Sequence, residues 1–104
     1  METSLIFKVA VLDDGRVAVF PQSKRADYQY VYREAAGVNW DQAMGCFVST
    51  PPQEWTPQKW YQHIISVVWS GIGLQMVLTA DTEYESMDPR FGASIKLADQ
   101  ELRQ

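Results

Sequence analysis

From Leu5 to Leu12 the side chains alternate, with Phe7, Val9 and Val11 on one face and Ile6, Lys8, Ala10 and Leu12 on the other. A two-residue period in a β-rich run predicts a strand. Asp13-Asp14-Gly15 follows, and Asp-Gly between two such runs predicts a hairpin, because the turn needs a positive φ that glycine adopts without strain. Arg16 to Phe20 is then the returning strand. Pro21 has no N–H to give to a ladder and should end it, with Gln22 to Ala26 as a polar loop.

Asp27 to Ala36 fits two periods. As a strand it places Tyr28, Tyr30 and Tyr32 on one face; as a helix it gathers Tyr28, Val31, Tyr32 and Ala35 on one stripe, with Asp27 as cap and Gly37 as stop. The tyrosines and valine favour a strand and Arg33 to Ala36 favour a helix; the segment is read as a strand. Val38 to Trp40 and Cys46 to Ser49 read as two short strands joined by the glycine-containing loop Asp41 to Gly45. Pro51 and Pro52 keep the next stretch extended, so it serves as a connector.

The strongest element runs from Pro57 to Ile72. Thr56 suits an N-cap, Pro57 the first helical position, and Trp55 with Trp60 the two ends of a hydrophobic staple, while Gly71 and Gly73 mark the stop. At 3.6 residues per turn Lys59, Gln62, His63, Ser66 and Ser70 share a polar arc. Trp60, Tyr61, Ile64, Ile65, Val67, Val68, Trp69 and Ile72 fill the opposite arc, which spans roughly 200°. An arc that wide exceeds what one sheet covers, so the C-terminal segment or a second copy of the chain must shelter the rest.

Leu74 to Thr79 reads as a last strand, Ala80 to Gly92 as an acidic, turn-rich loop, and Ile95, Leu97, Ala98 and Leu102 as a short terminal helix starting at Ser94. The expected fold is therefore α+β: a mostly antiparallel sheet of about five strands packed on one long amphipathic helix, in a single domain over 1–104. At 104 residues, two separate cores would each be too small to fold readily.

Charge removes some classes of partner. Thirteen acidic against nine basic side chains give a net charge of −4, and the basic residues are scattered, which argues against nucleic acid. No apolar run approaches the roughly 20 residues of a membrane helix, and the first residues lack the basic head of a secretion signal. Cys46 has no second cysteine to pair with, which fits a reducing cytoplasm and a small buried hydrophobe.

Catalytic and cofactor patterns are sparse. One His and one Cys do not make a zinc set, and no cofactor is expected. Asp81, Glu83 and Glu85 begin like a calcium loop, but Ser86 stands where the turn glycine belongs and Gly92 where the bidentate Glu belongs. Gly71-Ile72-Gly73 ends a helix where a dinucleotide loop would open one. His63, on the polar arc, would be a general base only beside a nucleophile or an acid brought there by the fold.

The conspicuous feature is the aromatic content of four Trp, five Tyr and four Phe. Such rings fill cores, and they also supply contact area with little side-chain entropy to lose. Tyr28, Tyr30, Tyr32, Trp40, Trp55 and Trp69 are the candidate ligand- or partner-binding residues. Three functions follow: a non-catalytic module that self-associates around the long helix, a small-molecule binder with an aromatic pocket between sheet and helix, and an enzyme using carboxylates and His63.

The stretch Gly37-Val38-Asn39-Trp40-Asp41, then Gly45-Cys46, Ser49, Pro51-Pro52-Gln53-Glu54-Trp55-Thr56 and Trp60, resembles small bacterial proteins of the type carried on mobile integron gene cassettes. That resemblance implies a bacterial cytoplasmic protein, often a homo-oligomer, that binds a small molecule or another protein. It implies no catalytic residue.

Overall fold

A computed structural model describes residues 2–23, 25–31, 37–50 and 55–103. The chain forms β1 (Glu2–Val11), β2 (Val17–Pro21), a 3-10 helix (Ala26–Tyr30), β3 (Val38–Asp41), β4 (Cys46–Ser49), α1 (Pro57–Ile72), β5 (Leu74–Val77), β6 (Glu83–Glu85) and α2 (Phe91–Leu102). The fold is α+β, as the pattern predicts.

The strands make one sheet in the order β3-β4-β2-β1-β5, with β6 also paired to β1. The pairings of β1 with β2, β2 with β4 and β3 with β4 are antiparallel. Those of β1 with β5 and with β6 are parallel, so the sheet is mixed. Both predicted hairpins form. In the first, Gly15 N–H donates to the Leu12 carbonyl at 2.9 Å; in the second, Gly45 N–H donates to the Asp41 carbonyl at 2.7 Å and Met44 N–H to the Asp41 carboxylate.

The faces of β1 depart from simple alternation. Its register against β2 slips between Ile6 and Lys8, where a β-bulge inserts one residue. Parity flips there, so Ile6 and Val9 both lie fully buried on the helix side while Phe7 is 47% exposed. The expected grouping of Phe7 with Val9 and Val11 is thus corrected. The bulge divides β1 into a part that pairs with β5 through Leu5 and a part that pairs with β6 from Lys8. Thr82 bridges the gap: its hydroxyl donates to the Ile6 carbonyl at 2.7 Å and accepts from Thr79 N–H at 2.8 Å.

The segment read as strand over Asp27 to Ala36 is also corrected. Ala26–Tyr30 is a 3-10 helix, and residues 32–36 lie outside the described residues, Tyr32 among them. A turn with three residues per repeat separates Tyr28 and Tyr30, which a strand would have aligned. Tyr28 is buried, its hydroxyl within 3.3 Å of those of Ser4 and Ser23, whereas Tyr30 is 71% exposed. Two further corrections fall in the acidic stretch: Glu83–Glu85 is a strand, and α2 begins at Phe91 rather than Ser94, burying Phe91. The proline connector at 51–54 lies outside the described residues.

The long helix matches its signals closely. Thr56 Oγ1 accepts from Lys59 N–H, Pro57 opens the helix, and the Trp55 and Trp60 rings meet at 4.6 Å as a staple requires. Gly73, at φ 66°, turns the chain into β5 in the left-handed region that a Cβ disfavours. Trp60, Tyr61, Ile64, Ile65 and Val68 are buried, joining Ile6, Val9, Val19, Phe47, Leu74 and Met76 from the sheet and Phe91, Ile95 and Ala98 from α2 in one core. The C-terminal helix therefore shares the shelter of the wide apolar arc. Among the described residues, no helix is long and apolar enough to cross a membrane.

The bulge makes an ordered prediction. Ile6→Ala should lower unfolding stability by about 2–5 kcal/mol, the cost of a core truncation, whereas Phe7→Ala should cost under about 1 kcal/mol. Urea unfolding of the two variants checks it; regular alternation along β1 would reverse the order.

Candidate functional site

The aromatic side chains separate into three groups. In the first, Trp40 on β3 meets Phe47 on β4 at 4.9 Å and Tyr28 of the 3-10 helix at 5.0 Å, an edge-on cluster on the inner face of the sheet. β3 and β4 pair Trp40 with Phe47 directly, so the sheet register itself creates the contact. The outer side of Trp40 borders a depression of about 350 Å3 shared with Arg25, Ala26, Gln29 and Gln42.

The second group lies at the start of α1. Trp55, Trp60 and His63 pack ring against ring, with His63 5.1 Å from Trp55 and 5.8 Å from Trp60, and the Lys59 ammonium sits 4.7 Å from the Trp55 ring. Trp60 also presses on Gly37, where an added Cβ would come within 3.2 Å of its ring. Here the rings fasten the helix start to the strand that follows Gly37. His63 is half-buried as part of this packing.

Trp69 stands apart. On the helical wheel it falls at the border between the apolar arc and the polar arc, so neither the sheet nor α2 covers it fully, and 45% of it remains exposed. Beside it lies a groove of about 320 Å3 where α1, β5 and α2 converge, lined by Ile65, Ser66, Trp69, Gln75, Leu102 and Arg103. The groove walls are held by a polar network. Tyr61 donates its hydroxyl proton to Asp99 at 2.7 Å, Arg103 Nε donates to the same carboxylate at 3.0 Å, and another Arg103 nitrogen donates to the Met76 carbonyl. One carboxylate thus ties α1 to α2, and one guanidinium ties α2 to β5. Burial and the hydrogen bond to Asp99 push the Tyr61 phenol upward, and the bond to Asp99 raises Arg103.

Of the six candidate residues, the structure joins Tyr28 with Trp40 and leaves Trp55 and Trp69 in separate groups. Tyr30 faces outward, and Tyr32 lies outside the described residues. Sequence reasoning did not select Arg25, Gln29, Gln42 or Arg103, the polar residues beside the partly buried Trp40 and the exposed Trp69. Their sequence signal is weak, because each is an ordinary surface side chain until a turn or helix end puts it next to a ring. Among the described residues no group of three or more His, Cys, Asp or Glu is placed to hold a metal ion. Cys46 sits on the outer face of the sheet, fully buried with Ala18 and Val48, and burial pushes its thiol up to about 12. At neutral pH it is a packed thiol rather than a nucleophile.

A family model described as Integron Cassette Protein Hfx_Cass5 matches residues 6–82. A solved structure of the integron cassette protein Hfx_Cass5, from the mobile metagenome of the North West Arm sewage outfall, is 26% identical to the chain. The alignment covers 96% of this chain and 98% of that one, with a TM-score of 0.46. No curated protein matches the chain.

The buried thiol sets a pH dependence. Unfolded Cys46 gives up its proton near its ordinary value of 9.0 and the native thiol only near 12, so between these values the folded chain holds more protons than the unfolded one. Stability must then fall as pH rises through that window, and the raised phenol of Tyr61 acts with the same sign above its ordinary value of 10.0. Cys46→Ala should flatten the decline beginning near pH 9.0, as measured by urea unfolding from neutral to alkaline pH.

Proposed function

The chain belongs to the Hfx_Cass5 integron cassette protein family, and from that premise we propose that it works as a non-catalytic interaction module that self-associates in the bacterial cytoplasm. The observation that carries the reading is Trp69. A tryptophan 45% exposed, at the edge of the arc that sheet and α2 otherwise bury, is the largest piece of the helix surface left over. Tryptophans of this kind supply a disproportionate share of contact energy in protein interfaces.

The occupant is a second copy. The Trp69 ring and the groove lined by Ile65, Leu102 and Arg103 lie side by side on one surface. A twofold axis through such a patch lets each ring enter the partner's groove, the self-complementary arrangement of a closed dimer. Arg103, fixed by Asp99 and the Met76 carbonyl, would then meet the incoming indole face as a cation meets an aromatic ring. The net charge of −4 is low enough for two copies to approach at physiological ionic strength.

Sedimentation equilibrium at micromolar concentration should show a reversible dimer. Trp69→Ser should weaken it by about 2 kcal/mol or more, roughly thirtyfold in dissociation constant, with the far-UV circular dichroism unchanged. A strict monomer, or a dimer indifferent to Trp69→Ser, would overturn the reading.

A further inference from the structure

We infer that the depression beside Trp40 binds a small, neutral, planar heterocycle of the nucleobase kind, a function separate from self-association. Its volume of about 350 Å3 falls at the lower end of ligand pockets, roughly 300–1,000 Å3. Its wall is preformed. Tyr28 and Phe47 brace the Trp40 ring at 5.0 and 4.9 Å, so the indole is fixed before any ligand arrives. A braced indole that keeps part of its face open, as the partly buried Trp40 does, is a stacking surface for flat π-systems.

The polar rim sets the chemical class. Trp40 Nε1 donates to Gln42 Oε1 at 2.7 Å, which orients the Gln42 amide and leaves its NH2 group to donate. Gln29 brings a second amide, which offers one acceptor and two donors. Amides pair in parallel with the adjoining donor and acceptor atoms on the edge of a nitrogen heterocycle. Arg25 completes the rim, but its Nε bonds to Asp27 at 3.0 Å, so cation and carboxylate form a neutral pair. With that pair neutral and the chain at −4, an anionic ligand gains little from charge. A base or nucleoside suits the rim, and the phosphate of a nucleotide does not.

The test is calorimetric titration of the full chain with adenosine, guanosine, cytidine and uridine, followed in parallel by tryptophan fluorescence. Adenosine monophosphate and benzoate serve as anionic probes. At least one nucleoside should bind saturably with a dissociation constant below a few millimolar and quench the fluorescence. Gln42→Ala and Gln29→Ala, both exposed and remote from the core, should each weaken it about three- to tenfold, while Trp69→Ser should leave it unchanged. Three results would overturn the inference: no saturable binding of any nucleoside, binding indifferent to both glutamine variants, or tighter binding of the monophosphate than of adenosine.

Discussion

The bulge in β1 is the constraint on which the rest of the sheet depends. β1 is the strand with the most partners, with β2 on one side and both β5 and β6 on the other. One strand can be shared in this way only if its partners meet different stretches, and the slip between Ile6 and Lys8 marks the division. In the gap between β5 and β6 the Ile6 carbonyl lies buried with neither strand as its partner, where an unmet acceptor costs on the order of 1–3 kcal/mol. Thr82 supplies the missing donor from the connection between β5 and β6. A local irregularity of one residue therefore decides where the C-terminal third of the chain must cross.

That crossing places α2 against α1. The apolar arc of α1 demands more cover than the sheet gives, and α2 supplies it with Phe91, Ile95 and Ala98. Apolar contact alone does not fix the angle of one helix against another. The Asp99 carboxylate, gripped by Tyr61 from α1 and Arg103 from α2, adds direction to that contact. Arg103 also satisfies a carbonyl of β5, the outer strand beside α2, which would otherwise present that acceptor to any passing strand. Trp69 is what remains after these demands are met, because its position on the wheel lies just beyond the reach of both layers.

Much of this was legible in the sequence, and the remainder was hidden for identifiable reasons. The hairpins and α1 were readable because turn and cap chemistry is local: Asp14-Gly15, Asp41 with Gly45, and Thr56-Pro57 with Trp55 and Trp60 act on neighbours within a few residues. The bulge was not, since Ile6, Phe7 and Val9 are all good strand residues and either parity satisfies a period of two. The 3-10 helix at Ala26–Tyr30 was misread because the Tyr28 hydroxyl is anchored by Ser23, five residues back, and by the distant Ser4 on β1, a contact that no local pattern announces. β6 was invisible for a similar reason, as Glu83-Tyr84-Glu85 becomes a strand only beside β1, where Glu85 meets Lys8 at 3.1 Å. The candidate residues are all aromatic, and their grouping depends on sheet register and helix phase. The polar side chains that give each ring its chemistry carry no pattern of their own.

The character of the proposed function follows from how the chain uses its polar groups. Several buried and half-buried hydroxyls and charges act as fasteners: Ser49 holds the Val17 amide, Thr82 the Ile6 carbonyl, Ser4 and Ser23 the Tyr28 hydroxyl, and Asp99 both Tyr61 and Arg103. A group whose lone pairs and protons are committed in this way is poorly placed to accept and release a proton in a reaction, since each transfer would break a bond that holds two layers together. Among the surfaces the fold leaves beside a depression are two indoles, the partly buried Trp40 with its amides and the exposed Trp69 with its groove. Rings offer area, stacking and shape, and these suit a protein that holds a partner or a flat ligand. Such a chain can tolerate drift in its surface charges while its braced aromatic positions stay fixed by the same packing that builds the core.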